Sequence, residues 1–162
     1  MSYPRVVVTG LGAVTPVGNN TNDFWNSLIS GKSGVDKLTA FDPARFDAKI
    51  AAEIKGYDPK ATIPAKESRR MEKFCQFAVT AAKEAMADAG IDMNREDPHE
   101  VGVLIGSGIG RLRLVEETHS SYLEKGPDKF TPFMIPLLII NMAAGWVSIL
   151  MGLKGSNLAV VT

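Results

Sequence analysis

The stretch that most limits what this chain can fold into is residues 131–162. Apolar residues rich in Ile, Leu and Met recur there at helical spacing through residues 133–153, a Gly-Leu-Lys-Gly turn follows, and Ser156, Asn157, Leu158, Ala159, Val160, Val161 and Thr162 read as a short β-type segment. A run that is apolar on both faces belongs in a covered sheet, and polar, frayed residues are the usual ending of a domain. The expectation is therefore a buried helix feeding a buried strand, in a chain truncated within a larger fold. Pro136, Asn141 and the Ser and Gly breaks interrupt the apolar run, and a membrane helix needs about 20 apolar residues, so a core helix is expected rather than a span.

Upstream, strand-like and helix-like stretches alternate, which predicts a layered α/β fold. Residues 5–9, Arg-Val-Val-Val-Thr, form a β-branched run, and Gly10-Leu-Gly12 follows. The spacing fails the dinucleotide fingerprint, whose third glycine would fall at Thr15, so the glycines are read as points where the chain bends or another backbone comes close. Thr21 reads as the N-cap of a short helix with Phe24, Trp25 and Leu28 on one face, ended by Gly31. Residues 33–60 read as a loop-rich connection with a short strand around 49–54.

The clearest helical pattern spans residues 64–89. Met71, Phe74, Cys75, Ala78, Val79, Ala82, Met86 and Ala89 fall at three- and four-residue steps before Gly90. Cys75 lies on that stripe and is read as a small core hydrophobe. Lys66, Arg69 and Arg70 sit in the expected first turn, where cations oppose the helix dipole by a few tenths of a kcal/mol each, about 0.3 or more. Placement against that preference marks them as a candidate docking patch. Residues 101–105 read as a buried strand, the glycine turn 106–110 follows, and a helix runs from near Leu112 to Lys125 before Gly126-Pro127. Strand, glycine turn and helix form many ligand crevices of open α/β sheets. The turn has no Gly-Lys-Ser/Thr ending, so nucleotide binding is the weaker reading.

Lysine plus arginine and aspartate plus glutamate both number 18, so no bulk field points to nucleic acid or an anionic membrane. One cysteine excludes an internal disulfide and fits a reducing compartment, and a cytoplasmic protein is expected. His99 and His119 lack neighbours at metal-ligand spacing and are read as surface residues; neither metal nor cofactor is expected.

Taken in order, residues 5–18, Gly106-Ser-Gly-Ile-Gly110, Ile135-Pro136 with Asn141-Met-Ala-Ala-Gly145, and Val160-Val-Thr162 resemble the β-ketoacyl-[acyl-carrier-protein] synthases, nearest to their elongating synthase II branch. The resemblance implies a thiolase-like fold of stacked helical and sheet layers, with residues 1–162 forming most of the first half. It implies a decarboxylative Claisen condensation in fatty acid elongation: an acyl group passes from carrier protein to a cysteine thiolate, and the carbanion from malonyl-carrier protein attacks that thioester. The nucleophilic cysteine would follow the strand that reaches Thr162, and the family's histidines lie in the second half. No catalytic residue is therefore carried over.

The same resemblance assigns Ile109, Met134 and Ile135 to the acyl tunnel, with Met134 reaching across a homodimer interface. It assigns Lys66, Arg69, Arg70 and Lys129 to docking of the acidic acyl carrier protein. Arg111 departs from the glycine expected after Gly110, which leaves two readings, an altered turn or a solvent-facing side chain. A non-catalytic partner of the chain-length-factor type, lacking the cysteine, is the rival from another class.

Overall fold

The computed structural model describes residues 3–130 and 132–161, with Lys129 described by its backbone alone. Thr131, Thr162 and the side chain of Lys129, all singled out in the sequence, lie outside the described residues. The chain divides into two compact units, one from Met1–Asp58 with Thr80–Ile91, the other from Pro59–Val79 with Asp92–Thr162.

In the first unit, helix α1 (Thr21–Ile29) precedes an antiparallel ribbon of β1 (Val35–Lys37) and β2 (Ile50–Ala52), with Asp36 opposite Ala51. The N-cap of α1 is Asn20 rather than Thr21: its Oδ1 accepts from the Asp23 N–H at 2.8 Å, and asparagine caps at least as well as threonine. The apolar face expected on α1 is open, with Trp25, Leu28 and Ile29 exposed. Ser27 is the buried residue, donating from Oγ to Val17 O at 2.6 Å.

Residues 5–9 form no strand, contrary to expectation, because no ladder partner lies beside them among the described residues. Val6 is 90% exposed. The segment that follows is held by carboxylates instead of a ladder. Leu11 N–H donates to Asp88 Oδ2 at 2.9 Å, and Ala13 N–H donates to Glu84 Oε2 at 2.9 Å. The glycines serve close approach, since a Cβ on Gly12 would stand 1.9 Å from Ala81 O and one on Gly10 would stand 2.1 Å from Ala85 O.

The predicted long helix is broken. It comprises α2 (Ala65–Ser68) and α3 (Lys73–Asp88), whose first part belongs to the second unit and whose remainder belongs to the first. The Gln76 side chain bridges the interruption, donating from Nε2 to Ser68 O at 3.0 Å and Met71 O at 3.3 Å. Ser68 O also accepts the Met71 N–H at 3.2 Å, so the side-chain amide reinforces that turn and gives Met71 O a partner. Met71, Cys75 and Val79 are buried as their spacing predicts, together with Ile63. Fully burying such side chains contributes roughly 1.5–3 kcal/mol each.

The rest of the second unit follows strand, turn, helix. Strand β3 (Val103–Gly106) leads to α4 (Leu112–Lys125), then to α5 (Met134–Leu138), α6 (Met142–Met151) and β4 (Asn157–Val160). β3 and β4 pair in parallel, Val103 with Asn157 through Gly106 with Val160. The single helix expected over residues 133–153 is also divided. Ile139 is extended at φ −72°, ψ 138°, and α6 restarts after Asn141. Asn157 ties α6 to β4, donating from Nδ2 to Ala144 O at 3.0 Å and to Ser148 Oγ at 2.6 Å. Ala143, Ala144, Val147, Leu114 and Leu153 are buried. Among the described residues, no helix is long and apolar enough to cross a membrane.

Candidate functional site

In the second unit, the glycine turn between β3 and α4 leaves Ile109 67% exposed. The turn closes at Gly110, whose φ of +75° favours glycine and where a Cβ would stand 2.2 Å from Leu138 O. The end of α5 thus backs directly onto the turn. Met134, on α5, lines an apolar cavity of about 210 Å³ with Val115, Thr118, His119, Tyr122 and Phe130. The Tyr122 and Phe130 rings are 5.7 Å apart, centroid to centroid. Neither Ile109 nor Ile135 borders this cavity, and Ile135 is exposed. The structure therefore brings the turn and α5 together through Gly110, and of the three sequence-predicted tunnel residues only Met134 borders this cavity.

His119 is exposed, as its place on a polar helix surface predicts, yet it also borders the Met134 cavity. The signal was available in the spacing of Val115, Thr118, His119 and Tyr122, which share one face of a helix.

Lys66, Arg69 and Arg70 are exposed around the end of α2. None of the three enters an ion pair among the described residues. Arg69 is the C-cap of α2, and its Nε–H donates to Ala65 O at 3.1 Å. The expected placement is thereby corrected: the helix break puts both arginines in the gap between α2 and α3 rather than in the first turn of one long helix.

Arg111 does not face solvent freely. One guanidinium nitrogen pairs with Glu72 Oε1, and Nη2 donates to Glu117 Oε2 at 3.1 Å. Glu117 also accepts from Arg113 Nε at 2.7 Å. The Arg111 and Glu72 side chains are 27% and 19% exposed, so water screens their attraction less than that of an open surface pair. These residues border a cavity of about 610 Å³ floored by Phe74 and Phe77. The Arg113–Glu117 pair was readable as i,i+4 spacing, but Glu72, 39 positions before Arg111, gave no sequence signal.

Cys75 is 1% exposed, and burial pushes its thiol up to about 12. A nucleophile needs the thiolate, so this cysteine is inert packing. In the first unit a polar cavity, also of about 610 Å³, is bordered by Asn19, Lys32, Asp36 and Lys55. The Lys55 ammonium donates to Asp36 at 2.6 Å and holds that carboxyl below its usual range. Sequence reasoning gave no sign of this cavity.

Comparison with known proteins matches this arrangement to one family. Residues 4–162 match the beta-ketoacyl synthase, N-terminal domain. Across 162 residues the chain is 46% identical to the 3-oxoacyl-[acyl-carrier-protein] synthase 2 of Coxiella burnetii, covering all of this chain and 39% of that protein. Over 158 residues it is 44% identical to the protein of the same name from Synechocystis, covering 98% of this chain and 38% of that one.

Among solved structures, a beta-ketoacyl synthase from Burkholderia phymatum superposes with a TM-score of 0.73 at 27% identity, over 95% of this chain and 38% of that one. The ishigamide ketosynthase/chain length factor superposes with a TM-score of 0.80 at 23% identity, over 96% of this chain and 39% of that one, which shows the shared fold. The chain thus has the α/β fold of the ketosynthases and spans about two fifths of the length of the curated relatives it matches. By the match over residues 4–162 and the identity carried across its full length, the chain belongs to the beta-ketoacyl synthase family, as its N-terminal domain.

Proposed function

We propose that this chain is the N-terminal part of a 3-oxoacyl-[acyl-carrier-protein] synthase that elongates fatty acyl chains. The observation that carries the reading is 46% identity, sustained over all 162 residues, to a synthase of that name. In the proposed reaction an acyl group leaves carrier protein for a cysteine thiolate outside the described residues. Malonyl-carrier protein then loses carbon dioxide, and its carbanion attacks the acyl thioester, breaking the C–S bond and releasing the cysteine thiolate as the 3-oxoacyl-carrier product forms. An ordinary thiol, with a pKa near about 8.5, needs an activating environment and a preorganised oxyanion site for this step. Cys75 has neither the exposure nor the acidity to serve.

The described residues supply binding surface. Ile109, Met134 and Ile135 are proposed to line the acyl path, with Met134 adaptable because a thioether chain fits irregular apolar space. Lys66, Arg69, Arg70 and Lys129 are proposed to meet acidic carrier protein, a local cationic patch being enough to raise encounter rates on a chain with 18 charges of each sign. A homodimer in the cytoplasm is the proposed working form.

The rival is a non-catalytic subunit, since the ishigamide neighbour is described as a ketosynthase/chain length factor. The higher identity to the named synthases favours the enzyme. The deciding experiment incubates a synthase polypeptide carrying residues 1–162 with acyl- and malonyl-carrier protein and follows 3-oxoacyl product by mass spectrometry. Product formation with release of carbon dioxide is expected. Failure to form either acyl-enzyme or product, with the polypeptide folded, would overturn the reading.

A further inference from the structure

The turn that presents Ile109 is held at its two ends by different means. At its far end Gly110 is pressed against Leu138 O, and the next residue, Arg111, reaches two carboxylates on different elements: Glu72, immediately before α3, and Glu117 of α4. At its near end Gly106 pairs with Val160 of β4 and Ser107 N–H donates to Val160 O at 3.1 Å, whereas a Cβ added to Gly108 would meet nothing within 4 Å. The turn is therefore tied to β4 at one end and to α5 and Arg111 at the other, with open space at Gly108, and Ile109 is the last side chain before the Gly110 end.

We propose that Arg111 is a positioning residue whose bridge to Glu72 and Glu117 anchors the 106–110 turn and limits how far Ile109 can move, thereby setting the length of acyl chain accepted. This rests on the reading of Ile109 as an acyl-lining residue. The guanidinium is suited to the task because its rigid fork can direct two N–H groups at two carboxylates at once; a lysine ammonium offers a single flexible point charge. The anchoring pair is also protected, with both Arg111 and Glu72 less than one third exposed. Arg113 provides an internal contrast. It shares Glu117 with Arg111 but is 71% exposed and makes no ion pair with Glu72 among the described residues.

The test uses a synthase polypeptide carrying residues 1–162, in wild-type form and as Arg111→Ala, Arg111→Lys, Glu72→Gln, Arg113→Ala and Ile109→Phe. Two quantities are read: amide hydrogen exchange over residues 107–110, and the ratio of kcat/KM for a long against a short acyl-carrier substrate. Losing a charge-assisted hydrogen bond corresponds to about tenfold faster exchange in Arg111→Ala and Glu72→Gln. Arg111→Lys should restore exchange only in part, and Arg113→Ala should leave it unchanged. The substrate ratio should shift in Arg111→Ala and in Ile109→Phe. If Ile109→Phe shifts the ratio while Arg111→Ala and Glu72→Gln change neither exchange nor ratio, the proposal is overturned and the lining role of Ile109 survives. An unchanged ratio in Ile109→Phe would overturn the lining role and, with it, the length-setting claim. Should Arg111→Ala fail to fold, Glu72→Gln decides the question through the same two quantities.

Discussion

Glu84 is the side chain whose removal should cost the first unit most for its size. Its two carboxylate oxygens each accept a backbone N–H, Oε2 from Ala13 at 2.9 Å and Oε1 from Thr21 at 2.7 Å. One carboxylate on α3 thus fastens both the glycine segment and the first turn of α1. Hydrogen bonds to charged groups contribute about 1.5–3 kcal/mol each, and part-buried donors left without a partner forfeit much of that. Glu84→Ala should therefore lower stability by about 3 kcal/mol or more, and Glu84→Gln, which keeps one acceptor oxygen, by about half as much. At about 2–4 °C per kcal/mol for a domain of this size, the Ala variant should melt roughly 6–12 °C lower. The assay is thermal and urea unfolding of the synthase polypeptide, with amide exchange read at Ala13 and Thr21. Both amides should exchange faster in Glu84→Ala, whereas in Glu84→Gln only one should. A stability loss under about 0.5 kcal/mol, or unchanged exchange at both amides, would refute the argument that this carboxylate joins the two segments.

Three further outcomes are expected. Cys75 should resist alkylation at pH 8 in the folded protein and react once urea unfolds it. Because burial raises its folded pKa to about 12, its stabilising contribution is complete below the unfolded thiol pKa and declines as pH rises from there toward the folded value, and Cys75→Ala should remove that alkaline dependence from the unfolding curve. Met71→Ala, at a side chain 5% exposed, should cost about 2–5 kcal/mol by urea unfolding. Charge reversal at Arg69 or Arg70 should raise the KM for carrier-linked substrate by about tenfold at low salt, with little effect on kcat or melting temperature, and added salt should shrink the difference between variant and wild type; unchanged kinetics would remove the docking assignment.

The parts of the fold legible in the sequence were those whose signals are local. Gly126-Pro127 ended α4 where expected, and the apolar runs around residues 103–106 and 157–160 became paired strands, but the burial expected of both runs is not found, since Leu104 is 66% and Leu158 57% exposed. The misread elements depend on distant groups. Ala65 to Lys73 consists of residues that tolerate a helix, and the break among them is accommodated by an amide from Gln76. Residues 5–9 have the composition of a strand, but composition does not supply a ladder partner. At the candidate site, composition indicated a glycine turn and a basic cluster, and the family resemblance alone gave those residues roles. The Arg111–Glu72 bridge was hidden because two residues on separate elements meet only after the chain has folded.

The interruption between α2 and α3 has a consequence for how this protein can change over time. Had one continuous helix run from residue 64 to 89, every substitution in its exposed opening turn would have carried through the same hydrogen-bond ladder that sets Met71, Cys75 and Val79 in the core. With the ladder cut at residues 69–72 and bridged by a side chain, the surface segment and the core segment are separate mutational compartments. If the proposed docking role holds, Arg69 and Arg70 can be exchanged, lost or regained as the partner's charges drift, while the packing register of α3 stays fixed.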